Sequence, residues 1–322
     1  MDDPEIIAKH LPELGKLPIL KGYTDDGKEI LEEAKNRITL KMLLSHSSGN
    51  IVIFRCVNRA DITGLAYGFN SELLVRYSAE HKLPFLFAPN APASAYAFPL
   101  LFEPGTRFQY GVGIDWAGFL VARITGLSLE EYFQKHIFRP CGVTTMSFFP
   151  PDDHEKSMMA MCERDPVHTG DIKVMKGPAM GRPFKREDIG PDFSGGGGLF
   201  GTARDYLKVL TAVLASSDPE AKSPLISSKA FRALFVNALA DTPTMKADLA
   251  KMAQSQHIHD PAILTEGTGE HVGYSPGLFL NFIDSKWGRL GMSGFWDGAA
   301  KTMFWIDPKT GVAVRPTCLE RG

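Results

Sequence analysis

The chain has 322 residues, of which 44% are apolar and 22% charged, close to the average for globular proteins, so disorder and collagen-like repeats are excluded. Its 35 Lys and Arg against 37 Asp and Glu leave a net charge of −2. That balance gives no electrostatic footprint for nucleic acid or an anionic membrane.

Residues 1–40 read as a polar lead-in. Leu11-Pro12-Glu13-Leu14 and Leu17-Pro18-Ile19-Leu20 within it are extended, proline-punctuated stretches. A short helix is expected over 38–44, with Thr39 as its N-cap and apolar residues three and four apart. Ser45-His46-Ser47-Ser48-Gly49 ends it as a hydroxyl-rich turn. Residues 71–79 form a second helix, capped by Asn70 or Ser71. Glu103-Pro104-Gly105-Thr106 marks a turn. The helix over 114–125 aligns Trp116, Leu120 and Ile124 on one face and stops at Gly126. Ser128 opens another, running to about Phe138, and loops fill 150–190.

Four glycines, Gly195 to Gly198, precede a helix over 203–215 that Thr202 and Asp205 open as a variant of the capping box. Helical pattern returns over 227–240 and 244–254. Three strands are expected at 277–282, 302–306 and 311–314, and they need a covering layer and further strands. The fold class is α/β (α+β), with residues 1–270 mostly helix and loop, 271–322 a partial antiparallel sheet, and the two forming one structural unit.

Several short patterns take structural readings. Gly273-Tyr274-Ser275-Pro276-Gly277 matches G-x-S-x-G, but the stretch before it is polar and a strand follows. It reads as a turn entering a strand. Lys309-Thr310-Gly311 reads as a solvated turn. His257, His259 and Asp260 read as a surface loop rather than a metal site, and no metal or cofactor is expected. The glycine run lacks a following Lys-Ser or Lys-Thr pair, so it reads as a turn that lets backbone pass close to another element. His46 among its serines reads as part of a helix-ending turn. Tyr110 lies at a loop-to-helix junction, where a nearby cation would lower its pKa and make it a base. A packed tyrosine is the competing reading. Cys56, Cys141, Cys162 and Cys318 are scattered, which suits a reducing, cytoplasmic setting. No apolar run reaches the roughly 18 residues of a membrane span, and the acidic start lacks the order of a signal peptide.

Together these segments resemble one family. Ile38-Thr39-Leu40 through Leu43-Leu44-Ser45-His46-Ser47-Ser48-Gly49 is similar to its I-T-[LI]-x-x-L-L-x-H-[TS]-S-G signature. Phe102 to Tyr110 resembles its F-x-P-G-x-x-[FW]-x-Y segment, and Gly195 to Asp205 its G-G-G-L-x-S-T-A-x-D helix entry. Gly294-Phe295-Trp296-Asp297-Gly298 before Trp305-Ile306-Asp307-Pro308 resembles its G-W-G-G…W-V-D-P hairpin. The family is the class C β-lactamase-like serine hydrolases. The run from Tyr110 to Gly118 is closest to its fungal branch of lovastatin-type acyltransferases.

The resemblance implies a β-lactamase/transpeptidase-like fold and acyl transfer through a serine acyl-enzyme, in secondary-metabolite biosynthesis. It makes Tyr110 the proton-handling tyrosine. Trp296 lines the acyl pocket beside Gly298, and the Ala299 N–H is one oxyanion donor. The implied partners are a small-molecule acyl donor, an alcohol or amine acceptor and an acyl carrier, without nucleic acid or membrane.

One feature of the family is missing. No serine in the chain has lysine three residues on. In the family S-x-x-K precedes the segment matched by Asp2-Asp3-Pro4 and Leu11 to Leu14, which places the nucleophile before Met1. Three readings stay open: a form of a longer active acyltransferase or esterase, a pseudoenzyme that binds ligand without reacting, and an interaction module whose unfinished sheet pairs with a partner strand. With family elements lacking at both ends, the strands are expected to leave an apolar patch exposed and an edge open.

Overall fold

In the computed structural model, which describes residues 1–50, 71–83, 91–150, 157–160, 162–164, 172–174, 186, 192–256, 267–286, 288–298, 302–314 and 320–321, the first forty residues are not a polar lead-in. Helix α1 (Glu5–His10) and a 3-10 turn at Pro12–Leu14 bury Ile7, Leu11 and Leu14. Their spacing of four and three is helical, and the prolines disguise it. Strand β1 (Ile19–Tyr23) pairs antiparallel with β2 (Glu29–Glu32) and buries Ile19 and Leu20. All five side chains join one core with Leu43, Trp116, Phe119 and Leu120.

The helices that follow start at local caps. In α2 (Leu40–Leu44) the Thr39 side chain accepts the Met42 N–H, and in α3 (Glu72–Glu80) Ser71 accepts that of Leu74. Helix α4 (Gly113–Thr125) ends at Gly126 with φ of 70°, a left-handed conformation that glycine adopts without strain. Helix α5 (Leu129–Phe133) has a full capping box between Ser128 and Glu131, and a wider turn continues it over Gln134–Phe138. Short strands β3 (Cys162–Arg164) and β4 (Ile172–Val174) pair within the stretch expected to be loop. Helix α6 (Ala203–Ala215) follows the glycine run, and its capping box is only half formed. Thr202 accepts the Asp205 N–H, but the Asp205 carboxylate takes the N–H groups of Thr144 and Thr145 and pairs with Lys208. Those partners hold its pKa well below the usual carboxylate range.

Helix α7 (Ser228–Ala233) is shorter than the pattern over 227–240 suggested. Beyond its end, Asn237 Oδ1 accepts the N–H groups of Leu239 and Tyr274, which suits a turn rather than a continued helix. Helices α8 (Pro243–Gln256) and α9 (Thr268–His271) lead into β5 (Val272–Tyr274), β6 (Phe279–Asn281), β7 (Ser293–Asp297), β8 (Met303–Asp307) and β9 (Val312–Val314). These five form a sequential antiparallel meander. The last strand, β10 (Glu320–Arg321), runs parallel to β3.

The expectation that the strands leave an apolar patch exposed is corrected. Phe279 and Phe295 pack with Met245, Leu249 and Met252 of α8. Leu278, Leu280 and Ile306 pack on the opposite side with Leu210 of α6 and Phe231 of α7. Successive strand residues face opposite ways, so both helical layers find an apolar partner. Leu278, Phe279 and Leu280 are buried, and Met303, Phe304 and Trp305 are half-buried. At the β5 edge the Ala238 N–H donates to the Tyr274 carbonyl at 2.8 Å. Among the described residues no strand pairs with the outer edge of β9.

Candidate active site

The site forms where the turn after α2, the loop before α4 and the end of β7 converge. Helices α2 and α4 cross so closely that a Cβ on Gly113 would lie 2.0 Å from the Leu43 carbonyl oxygen. That contact fixes Tyr110, three residues before Gly113, over the turn that carries His46. The two rings meet edge to face with centroids 4.4 Å apart. Trp296, near the end of β7, lies 4.8 Å from Tyr110 and 5.5 Å from Tyr274. Phe108 adds to the cluster 5.2 Å from Tyr274. The structure therefore brings Tyr110 and Trp296 together, although most of the chain separates them.

Gly298 lies just beyond β7, in the turn to β8, where its N–H donates to the Thr302 carbonyl at 2.9 Å. Ala299 lies outside the described residues, as do His257, His259 and Asp260. Helix α8 secures the loop before Tyr110. Both carboxylate oxygens of Asp248 bind the Arg107 guanidinium, and one also accepts the Phe108 N–H at 3.2 Å.

His46 is 2% exposed, and burial pushes its pKa down to about 3. At neutral pH it is an uncharged ring. Its Nδ1 accepts the Gly111 N–H at 3.2 Å, so the proton resides on Nε2. Nε2 has no hydrogen-bond partner among the described residues.

The glycine run passes close to a helix, as its sequence suggested. A Cβ on Gly195 would lie 2.4 Å from the Ile114 carbonyl oxygen, and one on Gly118 would lie 2.8 Å from the Gly195 nitrogen. This packing buries Asp115 in the first turn of α4. Its Oδ1 accepts from Ser194 Oγ and the Gly196 N–H, and its Oδ2 has no partner among the described residues. Burial raises the Asp115 pKa to about 6, against the lowering effect of those hydrogen bonds. The folded state thus favours the protonated acid. Its contribution to stability is present below the unfolded pKa of 3.8 and is lost as pH rises through about 6. The loss is on the order of 3 kcal/mol. Asp115→Asn should remove this part of the pH dependence. Chemical denaturation between about pH 4 and 7 measures it, and parallel stability curves for the two proteins would show that Asp115 does not titrate there.

The other short patterns have structural roles. Ser275 is fully buried in the turn between β5 and β6, and its N–H donates to the Leu278 carbonyl. Asp307 accepts the N–H groups of Lys309 and Thr310, which makes Lys309-Thr310-Gly311 a hydrogen-bonded turn. Among the described residues, no three His, Cys, Asp or Glu side chains gather as a metal site. Among them, too, no helix is long and apolar enough to cross a membrane.

This constellation sits on a chain whose residues 1–315 match the Beta-lactamase family. The protein belongs to that family. Its fold is the β-lactamase/transpeptidase-like one, with helices around antiparallel sheets. Simvastatin synthase (LovD) from Aspergillus terreus superposes with a TM-score of 0.76 at 26% identity, covering 98% of this chain and 71% of that one. Monacolin J acid methylbutanoyltransferase of Aspergillus terreus is 30% identical over 317 residues, which is 97% of this chain and 69% of the relative. Lovastatin esterase of Penicillium rubens is 34% identical over 207 residues, 64% of this chain and 47% of the relative. The match thus spans about half of the esterase.

Within this family member, the sequence reading took Tyr110, Trp296 and Gly298 from motifs. It did not show that Phe108, Tyr274 and His46 pack in the same aromatic cluster. Phe108 was detectable, since it alternates with Tyr110 on an extended segment and so shares its side. Tyr274 was hidden in a pattern that reads as a turn.

Proposed function

We propose that this Beta-lactamase family protein is the Tyr110- and Trp296-bearing part of an acyltransferase or esterase acting through a serine acyl-enzyme. The observation that carries the reading is the packing of Tyr110 against Trp296 beside the β7–β8 turn. The relatives' names, lovastatin esterase and monacolin J acid methylbutanoyltransferase, support a small-molecule acyl donor and acceptor, and in this reading the acceptor is an alcohol or amine. In the first half-reaction a serine oxygen bonds to the acyl carbon and the bond to the donor's leaving group breaks. The serine proton passes through Tyr110 to that leaving group. In the second, the acceptor hydroxyl gives its proton to Tyr110 and takes the acyl group, and serine regains a proton. Trp296 offers an apolar wall for the acyl chain, and the backbone beyond Gly298 is the candidate oxyanion donor. An acyl-carrier protein is one form the donor takes in this reading, and the cytoplasm is its setting.

No serine among the 322 residues has lysine three positions later. The reading needs a serine and a lysine supplied by a Ser-x-x-Lys segment. The same observation favours a second reading of the chain by itself, as a binder that forms no acyl-enzyme. Fluorophosphonate labelling read by intact mass separates the two. The 322-residue chain should take up no adduct, since Ser45, Ser47, Ser48 and Ser275 are buried and Ser194 is held by Asp115. A form extended by a Ser-x-x-Lys segment should take up one. An adduct on the 322-residue chain would mean that the nucleophile has been misplaced. An extended form that binds acyl compounds but never labels would leave the second reading standing.

A further inference from the structure

His46 lies in the turn that follows α2, and the proposed acyl transfer does not use it. Its contacts nevertheless enclose Tyr110 on both sides. The His46 carbonyl accepts the Gln109 N–H at 3.0 Å, and its Nδ1 accepts the Gly111 N–H at 3.2 Å. Between these two bonds its ring meets the Tyr110 ring edge-on at 4.4 Å and stacks 6.4 Å from Trp296. One residue therefore holds the backbone before and after the tyrosine and touches the tyrosine itself.

His46 is in turn held from below. Its φ is 52°, a left-handed conformation that few residues with a side chain adopt readily. The turn around it is fixed by the Ser47 N–H on the Met42 carbonyl and the Gly105 N–H on the Ser47 carbonyl. The strained φ aims the ring under Tyr110 rather than toward solvent. A backbone outlier kept inside such a network marks a position that the surrounding structure specifies.

We propose that His46 is the positioning residue for Tyr110: its Nδ1 and carbonyl clamp Gly111 and Gln109 and set the direction of the phenol. This inference rests on the acyl-transfer reading for its purpose but on the described contacts for its geometry. His46 does not act as a proton carrier, because the ring is sealed from solvent and Nδ1 is occupied as an acceptor. Asparagine suits both demands of the position. Its Oδ1 lies near the place of Nδ1, and it tolerates left-handed backbone better than other residues with a side chain. Leucine has the same shape as asparagine without an acceptor.

The test uses the full 322-residue chain and needs no activity. In His46→Leu the buried Gly111 N–H loses its acceptor, and its amide exchange should accelerate by roughly 5- to 150-fold, the range set by an unsatisfied buried donor. Amides in the middle of α4 should keep their rates, and the near-ultraviolet signature of Tyr110 and Trp296 should change. His46→Asn should restore both the Gly111 rate and the aromatic signature. Equal Gly111 rates in the Leu and Asn variants would overturn the proposal, as would acceleration shared evenly by all of α4. If the Leu variant does not fold, nitrogen-15 spectra of the unmodified chain decide. They should show Nδ1 unprotonated and Nε2 protonated from about pH 5 to 8, and a protonated Nδ1 would remove the clamp. These readouts stand apart from acyl transfer, so a chain that fails to label in any extended form would defeat the functional reading and leave the clamp intact.

Discussion

Tyr110→Phe should lower acyl-transfer turnover by about 10²-fold or more in a form that carries a Ser-x-x-Lys segment ahead of Met1. The substitution removes only the hydroxyl. The ring stays, so its packing on His46 at 4.4 Å and on Trp296 at 4.8 Å is retained. Stability should change little, which separates this outcome from a folding defect. The loss should appear in kcat more than in KM, because a proton-transfer group acts mainly in the transition state. Steady-state kinetics on a small thioester donor measures both. Turnover within about twofold of the parent, a difference of only ~0.4 kcal/mol, would return Tyr110 to the packing role that the sequence also allowed.

Gly113→Ala should destabilise the protein by about 3 kcal/mol. Alanine at a helix position ordinarily gains up to about 1 kcal/mol over glycine. Here the new methyl would lie 2.0 Å from the Leu43 carbonyl oxygen and 2.8 Å from its carbon. Both atoms are backbone, so α2 must shift as a unit and cannot yield by a rotamer change. The clash therefore outweighs the helical gain. Gly126→Ala is the control: it sits at φ of 70° with nothing within 4 Å of a new Cβ. It should lose only about 1 kcal/mol, from left-handed strain. Denaturant midpoints of the two variants give the comparison. A Gly113→Ala protein as stable as Gly126→Ala would mean that the α2–α4 crossing is looser than the structure shows. Because the turn carrying His46 continues directly from α2, the Gly113 variant should also disturb the aromatic signature of Tyr110.

The helix starts were legible because their causes are local. Thr39, Ser71, Ser128 and Thr202 each accept the N–H of the residue three positions on, and Gly126 ends α4 by its own backbone freedom. The N-terminal core was not legible. Pro12 and Pro18 suggested extended chain, and only docking onto Trp116 and Phe119 shows why Ile7, Leu11 and Leu14 are spaced as they are. Strand β5 was missed because three residues carry too little alternation to read, and its pairing with β6 is what defines it.

The sequence by itself determined the family and the fold class, and its short ordered motifs nominated Tyr110, Trp296 and Gly298 as candidates. It also determined that no serine–lysine pair of the required spacing lies within these 322 residues. Tertiary structure alone decided that both sheet faces are covered, that Asp115 is buried under the glycine run, and that His46 lies beneath Tyr110. The physical reason is the range of the interactions. Caps and turns are written within four residues of where they act. Ring packing, close helix crossings and the burial of a carboxylate depend on partners tens to hundreds of residues away, and their effects on pKa and position exist only once those partners have met.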